Sequence, residues 1–497
     1  MKLYPIIGLE IHVQLNTKTK LFCHCLNEYS PDTPNKNICP FCTGQPGALP
    51  VINKAAVKKA IIFGAALGSK IPDKTRWDRK NYFYPDLPSG YQISQYDNPI
   101  VEGGKIEFYV EDKNTGSFTI SEVELTRAHL ESDAAKLLHI GGKTMVDFNR
   151  SSAPLIEIVT EPVITSSFQA MSFVNELQSI VRTLGISDGD MEKGQMRFDC
   201  NLSLRTQEEF DNHKLPSYRT ETKNINSIRS LGRAIEYEII RQTALLEEGV
   251  RPVQETRGWK DDLNKSVSQR SKEDAMDYRY FPEPDLQILV IEKDEIPNPL
   301  NLPTLPQTIR KGILEKGLSV QIANTIIDNQ EVAEIFKELD DGKNTKNLVN
   351  LLVGPLMAKS KQDEVKMSQF ITHLQIKEMV ELMTAGSLSN QNIMKLLPLL
   401  SITSNDSIKE SITTDTFIID YNSVASIAKA NNLLVVNDTS LLEPIVDEVI
   451  NTNIKQVEEY KSGKVQVIGF LIGQCMKAAK GQGNPAVFTQ MLKTKLD

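Results

Sequence analysis

At 497 residues, with 40% hydrophobic and 24% charged side chains, the chain is too long for one core and too ordinary in composition for a disordered, fibrous or disulfide-dense protein. No apolar run is long enough to span a bilayer and no charged-then-apolar leader opens the chain, so a soluble, cytoplasmic protein of about two to four domains with no membrane partner is expected. A net charge of −8 argues against bulk affinity for nucleic acid and leaves room for a local basic surface.

The first predicted element is the strand Gly8-Leu9-Glu10-Ile11-His12-Val13-Gln14-Leu15. Its period of two sends Leu9, Ile11, Val13 and Leu15 to a core and Glu10, His12 and Gln14 to the other face. Alone, that second face reads either as the solvated side of an edge strand or as the wall of a site for something polar or cationic. Cys23-His24-Cys25 follows, then thirteen residues, then Cys39-Pro40-Phe41-Cys42. Each half presents two thiolates from a tight turn, so Cys23, Cys25, Cys39 and Cys42 suit a tetrahedral Zn²⁺ site, closed and therefore structural. Four reduced cysteines without a metal are the alternative. Cys200 and Cys475 stand alone, which does not fit a secreted disulfide framework. Residues 44–50 read as loop and residues 54–68 as a helix.

The stretch Arg79 to Gln95 sets Lys80, Tyr82, Phe83, Tyr84 and Tyr91 among turn formers. It suits a loop that clamps phosphate and stacks a planar ring, or equally an aromatic loop laid on a sheet. Gly141-Gly142-Lys143-Thr144 is not a phosphate loop, because Leu137 stands where that motif needs its first glycine. Three acidic segments follow. His129, Glu131 and Asp133 share one side if extended, and Asp147-Phe148-Asn149-Arg150 leads into Pro154-Leu155-Ile156-Glu157-Ile158-Val159-Thr160-Glu161. From Gln195 to Arg205 the alternation is complete, with Met196, Phe198, Cys200, Leu202 and Leu204 inward and Arg197, Asp199, Asn201, Ser203 and Arg205 outward. That outward row is either a solvated strand face or the set of groups that a nucleotide and its Mg²⁺ need.

Helical spacing of Phe168, Met171, Val174, Leu177, Val181 and Leu184 predicts a helix over 167–184 that stops at Gly185, and a second runs from about Ser227 to Glu248. Around Arg257 and from Asp277 to Asp285, arginines and carboxylates either complete a site or pair with each other. Pro297, Pro299, Pro303 and Pro306 mark a linker. Beyond it helical patterns run to the end, with a Ser/Thr/Asn-rich break near 401–415 that divides two small α-domains. Lysines 461, 464, 477, 480, 493 and 495 lie in a tail without Asp or Glu. A carboxylate cluster of this kind binds Mg²⁺ and suits phosphoryl transfer from ATP. A non-catalytic, zinc-stabilised RNA-binding protein is the alternative, and a metal-dependent hydrolase would leave the basic tail unexplained.

The opening strand, the cysteine array, Tyr82-Phe83-Tyr84-Pro85-Asp86-Leu87-Pro88, Asp147-Phe148-Asn149-Arg150, the segment 154–162, Lys223-Asn224-Ile225-Asn226-Ser227 and the segment 277–285 together resemble the B subunits of aspartyl/glutamyl-tRNA amidotransferases, the GatB family. Gly469 to Lys477 and Gly483-Asn484-Pro485 resemble that family's tRNA-binding tail. The resemblance implies an α+β fold. A glutamine-synthetase-like antiparallel cradle with a zinc loop would occupy 1–292, a helical domain 293–404 and a helical, tRNA-binding tail 405–497. It implies a heterotrimer completed by a glutaminase, the A subunit, and by a small C subunit. That ligase would use ATP to phosphorylate the side-chain carboxylate of Glu-tRNA(Gln) or Asp-tRNA(Asn), and ammonia from glutamine would then displace the phosphate. By similarity, His12, Glu131 and Glu157 would hold Mg²⁺ with Glu10 beside them as catalytic groups. Arg197, Asp199, Asn201, Lys80 and Tyr82 would contact the nucleotide. The chain departs from the family pattern at Ser132, where a second Glu is usual, at Ala135 in place of Gly, and at Ser89 and Val163. Ser132 would project away from Glu131 in a strand, so the site should not be emptied by that change.

Overall fold

The computed structural model describes residues 2–29, 32–111, 115–271, 278–400, 423–435, 439–479 and 483–496. The predicted break near 401–415, Asp277 and Lys480 therefore lie outside the described residues. Two compact units are present, residues 1–309 and 310–497.

In the first unit the strands are β1 (Tyr4–Gln14), β2 (Lys74–Thr75), β3 (Asp78–Asn81), β4 (Tyr91–Ser94), β5 (Val101–Glu102), β6 (Lys105–Glu111), β7 (Phe118–Ser132), β8 (Lys136–Ile140), β9 (Lys143–Asp147), β10 (Pro154–Thr160), β11 (Met196–Arg205), β12 (Thr220–Ile225), β13 (Glu255–Lys260), β14 (Lys265–Ser271), β15 (Phe281–Pro282) and β16 (Leu289–Val290). Its α-helices are α1 (Lys54–Ala66), α2 (Ser167–Thr183), α3 (Gln207–Asp211) and α4 (Ile228–Glu247). Nine strands form one sheet in the order β14-β13-β12-β11-β1-β10-β7-β5, with β6 also on β7. The expected antiparallel pairing holds except between β12 and β13, which run parallel. The chain crosses from one to the other through α4, and a helical crossover returns the strand in the same direction.

Strand β1 lies inside the sheet, between β10 and β11, so it is not an edge strand. Ile11, Val13 and Leu15 are fully buried, as their alternation requires. The apolar face they share with Ile156, Ile158, Phe198 and Cys200 packs into one core with Phe173, Val174 and Leu177 of α2 and Leu231 and Ile235 of α4. Ser166 and Ser227 cap α2 and α4 by accepting from the backbone N–H three residues on. Gly185 follows α2 at φ 63°, the left-handed conformation in which a helix commonly stops. Phe168, the first of the apolar residues at helical spacing, lies off the buried stripe of α2, which runs through Ala170, Phe173, Val174, Leu177, Ile180 and Val181 and leaves Phe168 41% exposed.

The second unit is helical throughout its described residues. Its last four helices, Thr439–Thr452, Ile454–Lys461, Ile468–Ala478 and Pro485–Leu496, close on Val446, Leu471, Phe488 and Leu492. Two of the tail lysines are partly neutralised from neighbouring helices or turns: Lys495 meets Glu443 and Asp447, and Lys464 meets Glu459. The predicted proline linker contains a short turn of 3-10 helix at Pro299–Asn301, and the helix Pro306–Glu315 begins on its last proline, a position that needs no N–H donor.

Ile11→Ala removes a fully buried side chain at the centre of the sheet and should cost about 2–5 kcal/mol in urea unfolding of the full-length chain. A loss under about 1 kcal/mol would contradict a central position for β1.

Candidate functional site

Register places the ionisable residues of the other face side by side. Across the sheet, His129 of β7 lies opposite Glu157 of β10, Glu157 opposite His12 of β1, and His12 opposite Arg197 of β11. Directly opposed residues in an antiparallel pair face the same way, so these four form one transverse row. Glu10 lies opposite Asp199, and Asn201 opposite Glu221 of β12.

The centre of the row is the His12 imidazole. Its Nε2 lies 3.3 Å from Glu131 Oε1 and 3.4 Å from Glu157 Oε2, and His129 Nε2 lies 3.5 Å from the same Glu157 oxygen. Burial alone would strip the proton from His12, but the hydrogen bonds to Glu131 and Glu157 outweigh it and raise the imidazole to about 10. Glu157 is held well below the ordinary carboxylate range: burial works against this, and His129 and His12 overcome it. Among the described residues the buried Glu131 Oε2 finds no hydrogen-bond partner, which costs about 1–3 kcal/mol and leaves an acceptor free for a cation. One imidazole nitrogen and two carboxylates within 4.8 Å of one another suit a divalent cation such as Mg²⁺ or Mn²⁺. The residues present thus fit a metal, in place of the proton on His12.

A second acidic set, Glu10, Asp199 and Glu221, is differently filled. Lys223 Nζ lies 2.7 Å from Asp199 Oδ2 and 2.9 Å from Glu221 Oε1, so an ammonium already serves as its cation. Glu10 accepts from Asn201 Nδ2 at 2.9 Å. Burial, then the charge of Glu157, pushes its carboxyl up. Beside Glu10 and Asn201 a pocket of about 200 Å³ opens, walled by Ile6, Val159, Pro162 and Leu215. Ser203, expected on the outward row, is on that face but covered, since its Oγ donates to the Tyr218 carbonyl.

Further groups reach or brace the face. Arg197 Nη2 donates to Asp133 Oδ1 at 2.9 Å, and Arg150 Nε donates to Asp133 Oδ2. Lys80 of β3 lies 5.1 Å from the Tyr278 ring centroid and 6.0 Å from that of Tyr82. Burial would discharge this ammonium, yet Glu131 and Glu157 hold it cationic and shift it upward. Burial also raises the Tyr82 and Tyr280 hydroxyls, Tyr280 to about 12, against the pull of Lys80.

Of the residues expected at a site, His12, Glu131 and Glu157 meet at one point with Arg197 in the same row, Glu10, Asp199 and Asn201 lie in a neighbouring group, and Lys80 and Tyr82 approach the first; Gln14 and Arg205 bond elsewhere, to Asn27 and over the Phe210 ring. Ser132 turns away as expected, its Oγ lying 3.3 Å from the Ile93 N–H. The arginines near 257 and 279–285 divide as the second reading had it where their partners are known: Arg79 pairs with Glu283 and Asp285, and Arg257 with Glu255 and Glu238. From that last segment Tyr278 and Tyr280 reach the face, close to Lys80. Glu221 was not foreseen, and its only sequence signal is the alternation Glu221, Lys223 along β12.

The four cysteines also gather. Cys23 and Cys39 Sγ lie 3.6 and 3.7 Å from Cys42 Sγ, and all four sulfurs fall within 4.8 Å of one another. Tetrahedral Zn–S bonds of about 2.3 Å give sulfur–sulfur edges of about 3.8 Å, so the cluster has the dimensions of a cage that could bind zinc. The fully buried Lys20 donates to Cys42 Sγ at 3.3 Å.

No described helix is long and apolar enough to cross a membrane. Residues 5–297 match the GatB/GatE catalytic domain and residues 330–496 match the GatB domain. The chain is 39% identical over 508 residues to the B subunit of the chloroplastic/mitochondrial glutamyl-tRNA(Gln) amidotransferase of Physcomitrium patens, covering 100% of this chain and 86% of that protein. It is 39% identical over 503 residues to the B subunit of the aspartyl/glutamyl-tRNA(Asn/Gln) amidotransferase of Gloeothece citriformis, covering 99% and 97%. The Burkholderia ambifaria protein of the same description is 40% identical over 503 residues, covering 99% and 98%.

Asp133 joins two arginines of the face. Its carboxyl is buried, which would raise it, and Arg197 and Arg150 bring it below its ordinary value. A depressed folded value means that the stabilisation is present above the unfolded carboxyl's pKa of about 3.9 and is lost as pH falls through the lower folded one. Asp133→Asn should cost about 1.5–3 kcal/mol at pH 7 in urea unfolding. It should also make the acid limb of stability shallower below about pH 4, whereas a wild-type midpoint and limb would contradict the pairing.

Proposed function

The chain belongs to the GatB family of tRNA-dependent amidotransferase B subunits, and on that premise we propose that its first unit uses ATP to activate the side-chain carboxylate of a misacylated tRNA for amidation. Membership carries the ligase activity of a glutamine-hydrolysing assembly of several subunits and does not favour a non-catalytic RNA-binding role. The substrates we propose are Glu-tRNA(Gln), Asp-tRNA(Asn) or both. Partners would be a glutaminase, the A subunit, with a small C subunit.

The observation that supports this reading most is the convergence of His12, Glu131 and Glu157 from three separate strands at one point of a protein-lined polar face. A carboxylate is a poor electrophile toward ammonia, so the oxygen must first become a leaving group, as an acyl phosphate. We assign Mg²⁺ to His12, Glu131 and Glu157, where it would neutralise phosphate charge when bound. The chain's own groups do the rest. Arg197, fixed by Asp133, presents a guanidinium at the end of the row, where an anionic phosphoryl group needs positive charge. Lys80 brings a half-buried ammonium near Glu131 and Glu157, beside the rings of Tyr82 and Tyr278. Asn201 lines the pocket at Glu10, with Asp199 opposite Glu10 on the next strand, and the mix of apolar and polar groups in its lining suits a nucleotide base. We further assign a structural Zn²⁺ to Cys23, Cys25, Cys39 and Cys42, and tRNA contact to the tail, where Lys461, Lys477 and Lys493 are exposed.

In the reconstituted complex, Glu131→Gln should lower ADP formation that depends on misacylated tRNA by roughly 100-fold or more, the several kcal/mol that metal-stabilised phosphoryl transfer gains. Circular dichroism should remain that of the parent chain. ADP formation within a few-fold of the parent would exclude Glu131 from the site.

A further inference from the structure

Lys20 has a fully buried side chain whose ammonium donates to the sulfur of Cys42 at 3.3 Å and to the Phe148 carbonyl at 3.1 Å. A buried ammonium is costly unless an anion offsets it, and the nearest candidate is a thiolate at Cys42. A zinc tetrathiolate supplies a larger offset than one thiolate, since four thiolates outweigh the charge of one Zn²⁺ and leave the cage anionic. The cage in turn has no other lysine or arginine nitrogen bonded to its sulfurs among the described residues.

The carbonyl that Lys20 also holds belongs to a loop stitched to the cysteine segment along its length. Asn35 N–H donates to Asp147 Oδ1 at 2.9 Å, and the Phe148 N–H donates back to Asn35 Oδ1 at 2.7 Å. Asn37 N–H donates to Asn149 Oδ1 at 2.8 Å, and Ser151 Oγ donates to the Cys42 carbonyl at 3.0 Å. Ser152 completes the loop at φ 64°, a left-handed conformation that a serine keeps only where its surroundings impose it. There its N–H donates to the Asp133 carbonyl while its own carbonyl accepts from Leu21 N–H, next to Lys20. From this loop Arg150 reaches Asp133, which fixes Arg197 on the polar face.

We infer that Lys20 is the internal counter-cation of the metal-loaded cysteine cage and a positioning residue, tying the cage to the 147–152 loop and so to the Arg150–Asp133–Arg197 group. The inference rests on the zinc assignment proposed above. It is tested on the full-length chain by competition for zinc with a chromogenic chelator and by amide hydrogen exchange. Lys20→Met should weaken zinc retention about 10- to 100-fold, and Lys20→Arg, which keeps the charge, should recover most of it. In the unsubstituted chain, stripping zinc should speed exchange of the 147–152 amides, a measurement that holds even if Lys20→Met fails to fold. Parental zinc affinity in Lys20→Met, an Arg variant no better than the Met variant, or unchanged 147–152 exchange on zinc removal would each overturn the inference. An unsubstituted chain that binds no zinc would instead remove the zinc assignment itself.

Discussion

The polar face depends on one constraint, the antiparallel register of β1 against β10 and β11. A slip of one residue would turn His12 and Glu10 into the core and expose Ile11 and Val13. Burial of the apolar partners in the core they share with α2 and α4 makes that slip costly. Hydrophobic packing on one side of the sheet therefore sets the geometry of the ionisable groups on the other. Without it, His12, Glu131 and Glu157, which come from three strands, would have no reason to meet.

Charge is the second organising term. A face so rich in carboxylates is stable only if cations are interleaved with it, and the chain supplies them unequally. Lys223 satisfies Asp199 and Glu221, and Arg197 with Arg150 satisfies Asp133. At His12 a proton is held between two carboxylates, with His129 and the Lys80 ammonium beside them, and Glu131 keeps one buried oxygen without a partner among the described residues. The set that the protein leaves incomplete is the one suited to an exchangeable divalent ion, and it adjoins both the Lys80 ammonium and the row that ends in Arg197. On the other side of the 147–152 loop the same logic runs in reverse, with Lys20 a buried cation facing sulfurs that become strongly anionic when they hold zinc.

Much of this was legible in the sequence, because period-two alternation and cysteine spacing are local signals. The two faces of β1 and β11, the cysteine cage and the helices 167–184 and 227–248 follow from neighbours a few residues apart. Phe168 shows the limit of periodicity: the predicted row and the buried stripe share Val174, Leu177, Val181 and Leu184, but near the start of the helix Ala170 and Phe173 are buried in place of Phe168 and Met171, a choice that only the packing partner decides. What the sequence could not convey is long-range pairing. Lys80 meets Tyr278 from almost two hundred positions away, and a residue-by-residue count of tail lysines cannot see that Glu443 and Asp447 lie against Lys495. The parallel pairing of β12 and β13 likewise depends on the path of α4 and not on either strand's composition.

The central claim is that His12 and its two carboxylates hold the divalent cation of an ATP-dependent activation site. Mn²⁺ bound to the full-length chain in place of Mg²⁺ offers the most direct view of it, through electron spin-echo modulation from a coordinating imidazole nitrogen. A nitrogen coupling is expected in the parent chain and should disappear in His12→Ala. Bound Mn²⁺ without nitrogen coupling, or a coupling that survives His12→Ala, would contradict that claim.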